Sequence, residues 1–151
     1  MAISPEIVKE LRDKTGISVM ECKKALEEAG GDMAKALEIL GARAVATAGK
    51  KADRMLGAGA VQAYVHNTNQ IGALVLLSSE TDFVSKNEEF VALARDIAMH
   101  AAAMRPADIA ELLAQPFIKD ESKTIADLVS QATQKFGERV EVSALTVSSV
   151  R

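Results

Sequence analysis

The side chains that could carry out chemistry in this chain are few and lie far apart. The 151 residues include one cysteine, Cys22, and two histidines, His66 and His100. Metal sites draw heavily on these two residue types at close spacing, and the three positions fall on separate predicted elements. A Gly-x-Ser-x-Gly nucleophile elbow is also missing from the sequence. The pattern therefore predicts a protein that is not an enzyme and has no metal or cofactor of its own.

One basic string matches a phosphate-binding loop only in part. Ala48-Gly49-Lys50-Lys51 contains the Gly-Lys pair, but such a loop also needs a glycine five residues earlier and a Ser or Thr after the lysine. Ala44 and Lys51 occupy those two positions. We therefore reject a nucleotide site there and interpret the basic residues nearby as a solvated face or a contact to an acidic partner.

Composition narrows the remaining function classes. The chain is 48% hydrophobic and 26% charged, with a formal net charge of -3, which is typical of a globular protein and gives little support for nucleic-acid binding. A single cysteine excludes an intrachain disulfide and fits a reducing cytoplasm. Apolar runs fall short of the roughly 18 residues of a membrane helix, and the N-terminus lacks a signal-peptide pattern. We expect a cytoplasmic protein without nucleic-acid or membrane partners.

The strongest functional candidate is the stretch Glu80-Thr81-Asp82-Phe83-Val84-Ser85-Lys86-Asn87. It lies between an apolar run that predicts a strand and a periodic run that predicts a helix. Phe83 falls outside both apolar stripes and beside an aspartate. Large apolar groups rimmed by polar ones usually mark contact surfaces. We call Thr81–Val84 the tip and predict that it inserts into a partner protein.

The first forty residues predict three short helices. Ser4 and Asp32 are N-cap candidates for the first and third, Gly16 is a plausible stop, and Ser18 with Glu21 fits a capping box for the second. Short amphipathic helices must bury their stripes against one another, so we predict a compact bundle over residues 1–41. The predicted stripes contain Ile7, Val8 and Leu11, then Cys22, Ala25, Leu26 and Ala29, then Met33, Ala36, Leu37 and Leu40.

Three features of this region bear on function. Cys22 falls on a buried stripe, which predicts an inert core thiol. Val19 and Met20 begin the second helix off its stripe, and either staple the start of that helix or form an exposed binding edge. Residues 42–57 are basic and rich in alanine and glycine, which predicts a linker or a fraying extension of the third helix.

Residues 58–151 predict an α+β domain. Ala60–His66 alternates, with Val61, Ala63 and Val65 on one side and polar residues including His66 on a side that faces water. A returning strand, three helices and a closing strand follow. The order predicts a small three-stranded antiparallel sheet with helices against one face, and its open edges invite pairing with a second copy.

The longest predicted helix follows the tip. Asp82 or Ser85 is its expected N-cap, and Arg105-Pro106 ends it. His100 near its end is either a surface residue that complements the helix dipole or, with Met104, a partner contact. Its apolar stripe contains Phe90, Ala94, Ile97, Ala98 and Ala101.

Taken together, these residues resemble the translation elongation factor Ts family. Val8–Gly16 followed by Cys22–Leu26 is similar to the family's N-terminal ubiquitin-associated-like (UBA-like) module. Lys50–Arg54 matches the segment after it, and Glu80–Asn87 resembles the family's most diagnostic string. The end of the core domain is similar over Gly137–Val142.

The resemblance implies a guanine-nucleotide exchange factor for elongation factor Tu that binds its GDP-bound and nucleotide-free forms. It implies that Asp82 and Phe83, within a tip of Thr81, Asp82, Phe83 and Val84, disturb the magnesium site of that partner. It also implies partner contacts by Arg12, Val19, Met20, Lys86, Asn87, His100 and Met104.

The chain departs from the family in two respects. It has room for only one core subdomain, so we expect a homodimer to supply the missing half. The final strand of the family usually carries a basic pair and a phenylalanine after a Gly-Glu-Asn-like turn. Here that region is Gly137-Glu138-Arg139 and then Val142-Ser143-Ala144-Leu145. An alternative function is a UBA-like protein-binding module with a dimerising sheet and no exchange activity. This alternative assigns no role to the tip.

Overall fold

The computed structural model describes residues 2–151, which form a helical bundle followed by an α+β core, the fold class that the sequence predicted. The helices are α1 (Pro5–Thr15), α2 (Val19–Glu28), α3 (Met33–Lys50), α4 (Asp82–Ser85), α5 (Glu88–Met104), α6 (Ile109–Ala114) and α7 (Ile125–Phe136). The strands are β1 (Ala58–Val65), β2 (Ile71–Ser79), β3 (Pro116–Phe117), β4 (Asp120–Thr124) and β5 (Glu141–Ser149).

Local signals in the sequence define the ends of the bundle helices. The Ser4 hydroxyl accepts a hydrogen bond from the backbone N–H of Ile7, and the Asp32 carboxylate accepts from the N–H groups of Ala34 and Lys35. Such caps satisfy N–H groups that a first helical turn leaves free. Gly16 ends α1 with a φ of 69°, a left-handed conformation that glycine adopts without steric cost. The buried side chains are Val8, Leu11, Ile17, Cys22, Ala25, Leu26, Ala36 and Leu40.

Two details of the bundle differ from the prediction. Leu37 is exposed, because the buried stripe of α3 instead runs through Ala36, Leu40 and Ala44. The capping box of α2 is half formed: Ser18 accepts from the N–H of Glu21, but the Glu21 carboxylate pairs with Arg43 at 3.2 Å. An ionic partner on α3 thus replaces the bond back to the helix start.

Cys22 is fully buried, as predicted for a core thiol. Its Sγ donates to the carbonyl oxygen of Ile17 at 3.6 Å. Burial raises the pKa of this thiol above its ordinary value, with the Thr15 hydrogen bond acting in the opposite direction. Because the thiolate is the reactive form, the environment suppresses chemistry at Cys22.

Helix α3 continues through Gly41 to Lys50, and residues 51–57 connect it to β1. It packs against α7 of the core. Gly16 adds a further contact, since a Cβ at that position would lie 2.9 Å from Cε of Lys135 on α7. The bundle is therefore seated on the core rather than attached by the connecting segment alone.

The core sheet has the strand order β1-β2-β5 and is antiparallel throughout. A turn over residues 67–70 closes the first hairpin, with Asn69 at a φ of 59°. Asparagine tolerates this left-handed conformation better than most residues. Helix α5 crosses one face of the sheet, where the buried side chains of β2, Ala73, Val75 and Leu77, meet Phe90 and the other stripe residues of α5.

The exposed face of β1 is the opposite of the predicted one. Val61 and Val65 are exposed by 57% and 62%, whereas Gln62 and Tyr64 are half-buried on the helix side. The register with β2 is responsible: Gln62 lies opposite the buried Val75, and directly opposed residues share a face. The apolar side of β1 therefore faces away from the helices.

Three local elements differ from the predicted ones. A helical turn, α4, and a two-stranded hairpin, β3–β4, were not predicted. The N-cap of α5 is Asn87, whose side chain accepts from the N–H of Glu89 at 2.8 Å, rather than Asp82 or Ser85. These two residues are unavailable as caps because they form α4 themselves.

His100 is fully buried, so the predicted surface position was wrong. Its Nδ1 accepts from the N–H of Ile118 at 3.2 Å, and its Nε2 lies 2.9 Å from Oε1 of Gln115. The ring packs against Phe117, with centroids 6.0 Å apart. With one nitrogen accepting, the other donates, so a neutral imidazole fits this site and joins α5 to the β3–β4 hairpin.

This site predicts a pH dependence of stability. Burial lowers the pKa of His100, opposed by its bond to Gln115, so the unfolded chain takes up a proton at a higher pH than the folded one. The free energy of unfolding should fall as the pH drops below about 6.5, by at most about 1.4 kcal/mol per pH unit, until the folded-state pKa is reached.

Urea unfolding between pH 7.5 and 5.5 measures this effect. His100→Gln should flatten the dependence more than His66→Gln, the control that removes an exposed histidine. An equal pH dependence in His100→Gln and the unmodified chain would contradict the assignment.

Candidate partner-contact site

The tip presents an aromatic ring to solvent on a short, well-fixed turn. Phe83 is 94% exposed, whereas Val84 beside it is 9% exposed and packs into the core. The turn is helical: the N–H of Ser85 donates to the carbonyl oxygen of Thr81 at 3.2 Å, and that of Lys86 to Asp82 at 3.0 Å. Since Val84 holds the turn from inside, Phe83 points outward.

The base of the tip is bonded on two sides. The buried hydroxyl of Ser79 donates to the carbonyl oxygen of Thr81 at 3.0 Å. Oε1 of Glu138 accepts from the N–H groups of Glu80 and Thr81 at 3.2 and 3.0 Å, and its Oε2 accepts from the Thr81 hydroxyl at 2.6 Å. Glu138 lies in the turn between α7 and β5, 57 residues from Thr81.

The carboxylate of Glu80 makes a reciprocal contact with the segment that carries Glu138. Oε2 of Glu80 accepts from the N–H of Arg139 at 2.6 Å, and its Oε1 lies 3.4 Å from the guanidinium of Arg54. Arg139 donates to the carbonyl oxygen of Arg54 at 2.6 Å and pairs with Glu141. The sequence gives no sign of these bonds of Glu80, Glu138 and Arg139, because a hydrogen bond across more than fifty residues leaves no periodic or local signal.

The predicted contact residues around the tip are accessible. Lys86 and Asn87 follow it directly and are exposed. Arg12 is exposed on α1 and shares a polar cleft with Glu89 and Lys135. Glu89 stands at the start of α5, so the cleft places the end of α1 close to the segment that follows the tip.

Val19 and Met20 form an exposed edge on the bundle. They are 52% and 69% exposed in the first turn of α2. Of the two roles that the sequence allowed, exposure favours the binding edge over the hydrophobic staple.

Two of the predicted contact residues do not adjoin the tip. Met104 is half-exposed, but it ends the 17-residue helix α5 that Glu88 begins, about 25 Å away at 1.5 Å per residue. His100 is buried and bonded within the chain at both nitrogens. A direct contact of His100 with a partner is therefore replaced by an internal role, and neither residue supports the tip locally.

Neither a metal-ligand cluster nor a membrane-spanning helix is found in residues 2–151. Within this range, no three His, Cys, Asp or Glu side chains come together in a way that could hold a metal ion. Among the helices over the same range, none has both the length and the apolar character needed to cross a membrane.

The match to a family model begins at the tip. The model described as "Elongation factor TS" matches residues 80–150, which include the tip, α5 to α7 and the closing strand. This match indicates a translation elongation factor as the class of the protein, and whole-chain relatives extend it beyond these residues.

Comparison with whole proteins extends the match to the bundle. The chain is 40% identical to elongation factor Ts of Desulforamulus reducens, covering 93% of this chain and 85% of that protein. It is also 40% identical to elongation factor Ts of Thermosipho melanesiensis, covering 93% and 95%, and of Thermodesulfovibrio yellowstonii, covering 94% and 93%. The chain belongs to the elongation factor Ts family.

The alignments also reveal a difference in length. They extend over 185 or 186 positions, although this chain has 151 residues. The relatives therefore contain residues that have no counterpart here. Within this chain, the connection between α5 and the β3–β4 hairpin consists of the six-residue α6 and a few flanking residues.

The different burial of Phe83 and Val84 predicts different effects on stability. Phe83→Ala should change the free energy of unfolding by less than about 0.5 kcal/mol, because an exposed ring has little packing to lose. Val84→Ala should lower it by about 1–2 kcal/mol, because the removed methyl groups are buried. Urea unfolding of the two variants tests this, and a larger loss in Phe83→Ala would show that the ring packs within the chain.

Proposed function

We propose that this protein is a guanine-nucleotide exchange factor for elongation factor Tu and acts through Asp82 and Phe83. The observation that carries this function is the exposed Phe83 ring on a turn whose base is fixed by Glu138, Ser79 and the buried Val84. Membership in the elongation factor Ts family supplies the identity of the partner. The factor binds both GDP-bound and nucleotide-free partner.

The chemistry takes place in the partner. Magnesium in nucleotide sites is held by few protein ligands together with the phosphates and waters, so a small displacement of the ion weakens the hold on GDP. Displacing that ion requires a rigid apolar group and a polar group beside it. Phe83 and Asp82 of the tip provide these two groups. The protein itself forms and breaks no covalent bond.

Exchange follows from linkage between the two binding events. If the factor binds nucleotide-free partner more tightly than GDP-bound partner, it must lower the affinity for GDP by the same ratio. Contacts that are equal in both states contribute affinity but no exchange. We assign such contacts to Arg12, Val19 and Met20 on the bundle and to Lys86 and Asn87 beside the tip.

The alternative, a UBA-like binding module without exchange activity, does not account for the tip. Burying Phe83 in its own core would stabilise the chain by about 1.5–3 kcal/mol, and the protein leaves it exposed on an ordered turn. A contact function for Phe83 explains this arrangement.

Release of labelled GDP from elongation factor Tu tests the proposal. The unmodified factor should accelerate release. Phe83→Ala should reduce that acceleration by about 30-fold, the value for losing a central aromatic contact of about 2 kcal/mol, and Asp82→Ala should also reduce it. Val45→Ala is the matched control, because Val45 is 58% exposed on α3, away from the tip and from the outer face of the sheet.

The possible outcomes of this assay test the exchange function and the assignment of Asp82 and Phe83 separately. No acceleration by the unmodified factor would refute the exchange function. Acceleration that Phe83→Ala and Asp82→Ala leave intact would refute the site assignment while leaving the function standing.

We also propose that the protein is a homodimer that uses the outer face of its sheet. On that face, Val61, Val65 and Leu74 are exposed, and Ala63 and Ala144 lie beside them through the strand register. The strands β1 and β2 contain no charged residue and β5 contains only Glu141. Exposed apolar patches of this kind usually mark interaction sites, and a second copy offers the same uncharged face.

The mass in solution tests the dimer. Light scattering should give twice the chain mass for the unmodified protein and the monomer mass for Leu74→Glu, because pairing would bury the introduced charge. Val45→Glu, which adds the same charge at an exposed position of α3, should remain dimeric. A monomeric unmodified protein would refute the dimer.

A further inference from the structure

We propose that Glu138 is a positioning residue for the tip, acting through the backbone at Glu80 and Thr81 rather than by touching the partner. The inference rests on the proposed exchange function and adds to it a residue outside the tip. It is carried by the three hydrogen bonds that the Glu138 carboxylate accepts, two from backbone N–H groups and one from a hydroxyl.

These bonds act where the chain changes direction. The last residue of β2 is Ser79, and α4 begins at Asp82, so Glu80 and Thr81 link a strand to a helix. The first N–H groups of a helix have no partner within it. Glu138 accepts from the two N–H groups of this link, so it fixes the peptide units on both sides of Glu80, which lead into the turn that carries Asp82 and Phe83.

The contact is reciprocal. The Glu80 side chain accepts from the N–H of Arg139, the neighbour of Glu138. Each acidic side chain therefore holds the backbone of the segment that carries the other. Displacing either segment breaks bonds in both directions, which makes the orientation of the tip depend on the turn before β5.

Glu138 is separate from the apolar core that holds the fold. It is half-exposed, whereas the fold around the tip is held by Val84, Phe90 and Leu77, all buried in the core. A change at Glu138 should therefore alter the orientation of the tip more than the stability of the chain. This separates a positioning role from a merely structural one.

Three substitutions of Glu138 define the test, with release of labelled GDP at saturating factor as the readout. Glu138→Ala should lower the maximal release rate by about tenfold or more, the effect of about 1.4 kcal/mol. Glu138→Asp should also lower it, because the carboxylate is withdrawn by one carbon–carbon bond, about 1.5 Å. Glu138→Gln should stay within about threefold of the unmodified factor, because the amide oxygen accepts both N–H groups and its nitrogen donates to Thr81.

A matched control accounts for the loss of charge. Glu121 is exposed on β4, and Glu121→Ala should leave the release rate unchanged. The factor concentration that gives half-maximal release should change less than the maximal rate, because the bundle contacts are intact. Adding Glu138→Ala to the double variant Asp82→Ala, Phe83→Ala should slow release no further, since a residue that acts only through these two side chains adds nothing once both are lost.

Amide hydrogen exchange of the free factor tests the geometry without the partner. The N–H of Thr81 should lose protection in Glu138→Ala and Glu138→Asp and keep it in Glu138→Gln. Unchanged protection in the folded Glu138→Asp variant would refute the proposal, and this variant decides the matter if Glu138→Ala does not fold.

The release assay distinguishes a failure of the positioning role of Glu138 from a failure of the proposed exchange function. A full release rate in folded Glu138→Ala, with Phe83→Ala impaired, would refute positioning by Glu138 and leave the exchange function intact. An unmodified factor that does not accelerate release would refute the exchange function and the positioning role with it.

Discussion

The geometry of the tip depends on the packing of β2 against α5. β2 is hydrogen bonded to a strand on each side, and its buried Val75 and Leu77 meet the buried Phe90 and Ile97 of α5. Residues 80–87 alone join these two elements, so the connection has little freedom once they are packed. An exposed phenylalanine on a longer loop would collapse onto the nearest apolar surface. Here the flanking elements and the anchoring of Val84 keep Phe83 in solvent, where its hydrophobic free energy remains available for binding.

The elements with local signals were predictable from the sequence. Ser4, Asp32 and Gly16 define helix ends in the structure because capping depends only on neighbouring backbone groups. The exposure of Phe83 was predicted for a similar reason, since it stands outside both apolar stripes. The face of β1 was mispredicted because alternation distinguishes two sides without showing which one the helices cover. That choice depends on the register with β2, whose sequence is apolar on both sides.

The other residues that were predicted incorrectly or overlooked form hydrogen bonds with residues that are distant in the sequence. His100 was expected at the surface because its position near a helix end gives no sign of its partners. These are Gln115 at the end of α6 and Ile118 in the β3–β4 turn, and neither segment has a strong sequence pattern. Glu138 was read only as part of a turn after Gly137. A carboxylate in a turn is usually solvated, and only the folded chain brings this one to the backbone of Thr81. Long-range polar contacts of this kind are the part of the site that a single sequence does not reveal.

The proposed roles of the bundle and of the tip require different degrees of rigidity. A contact that is equally strong with and without nucleotide in the partner raises affinity but cannot change nucleotide binding. The bundle packs on the core through α3, α7 and the contact of Gly16 with Lys135. Its proposed contacts add affinity only, so they do not require the bundle to be held rigidly. Under the proposed exchange function, the tip has to distinguish two states of the partner and must resist displacement. This difference explains why the tip is held by the core through Val84 and by two crossing carboxylates. Arg54, in the segment after α3, lies 3.4 Å from the Glu80 carboxylate, so this segment also contacts the base of the tip.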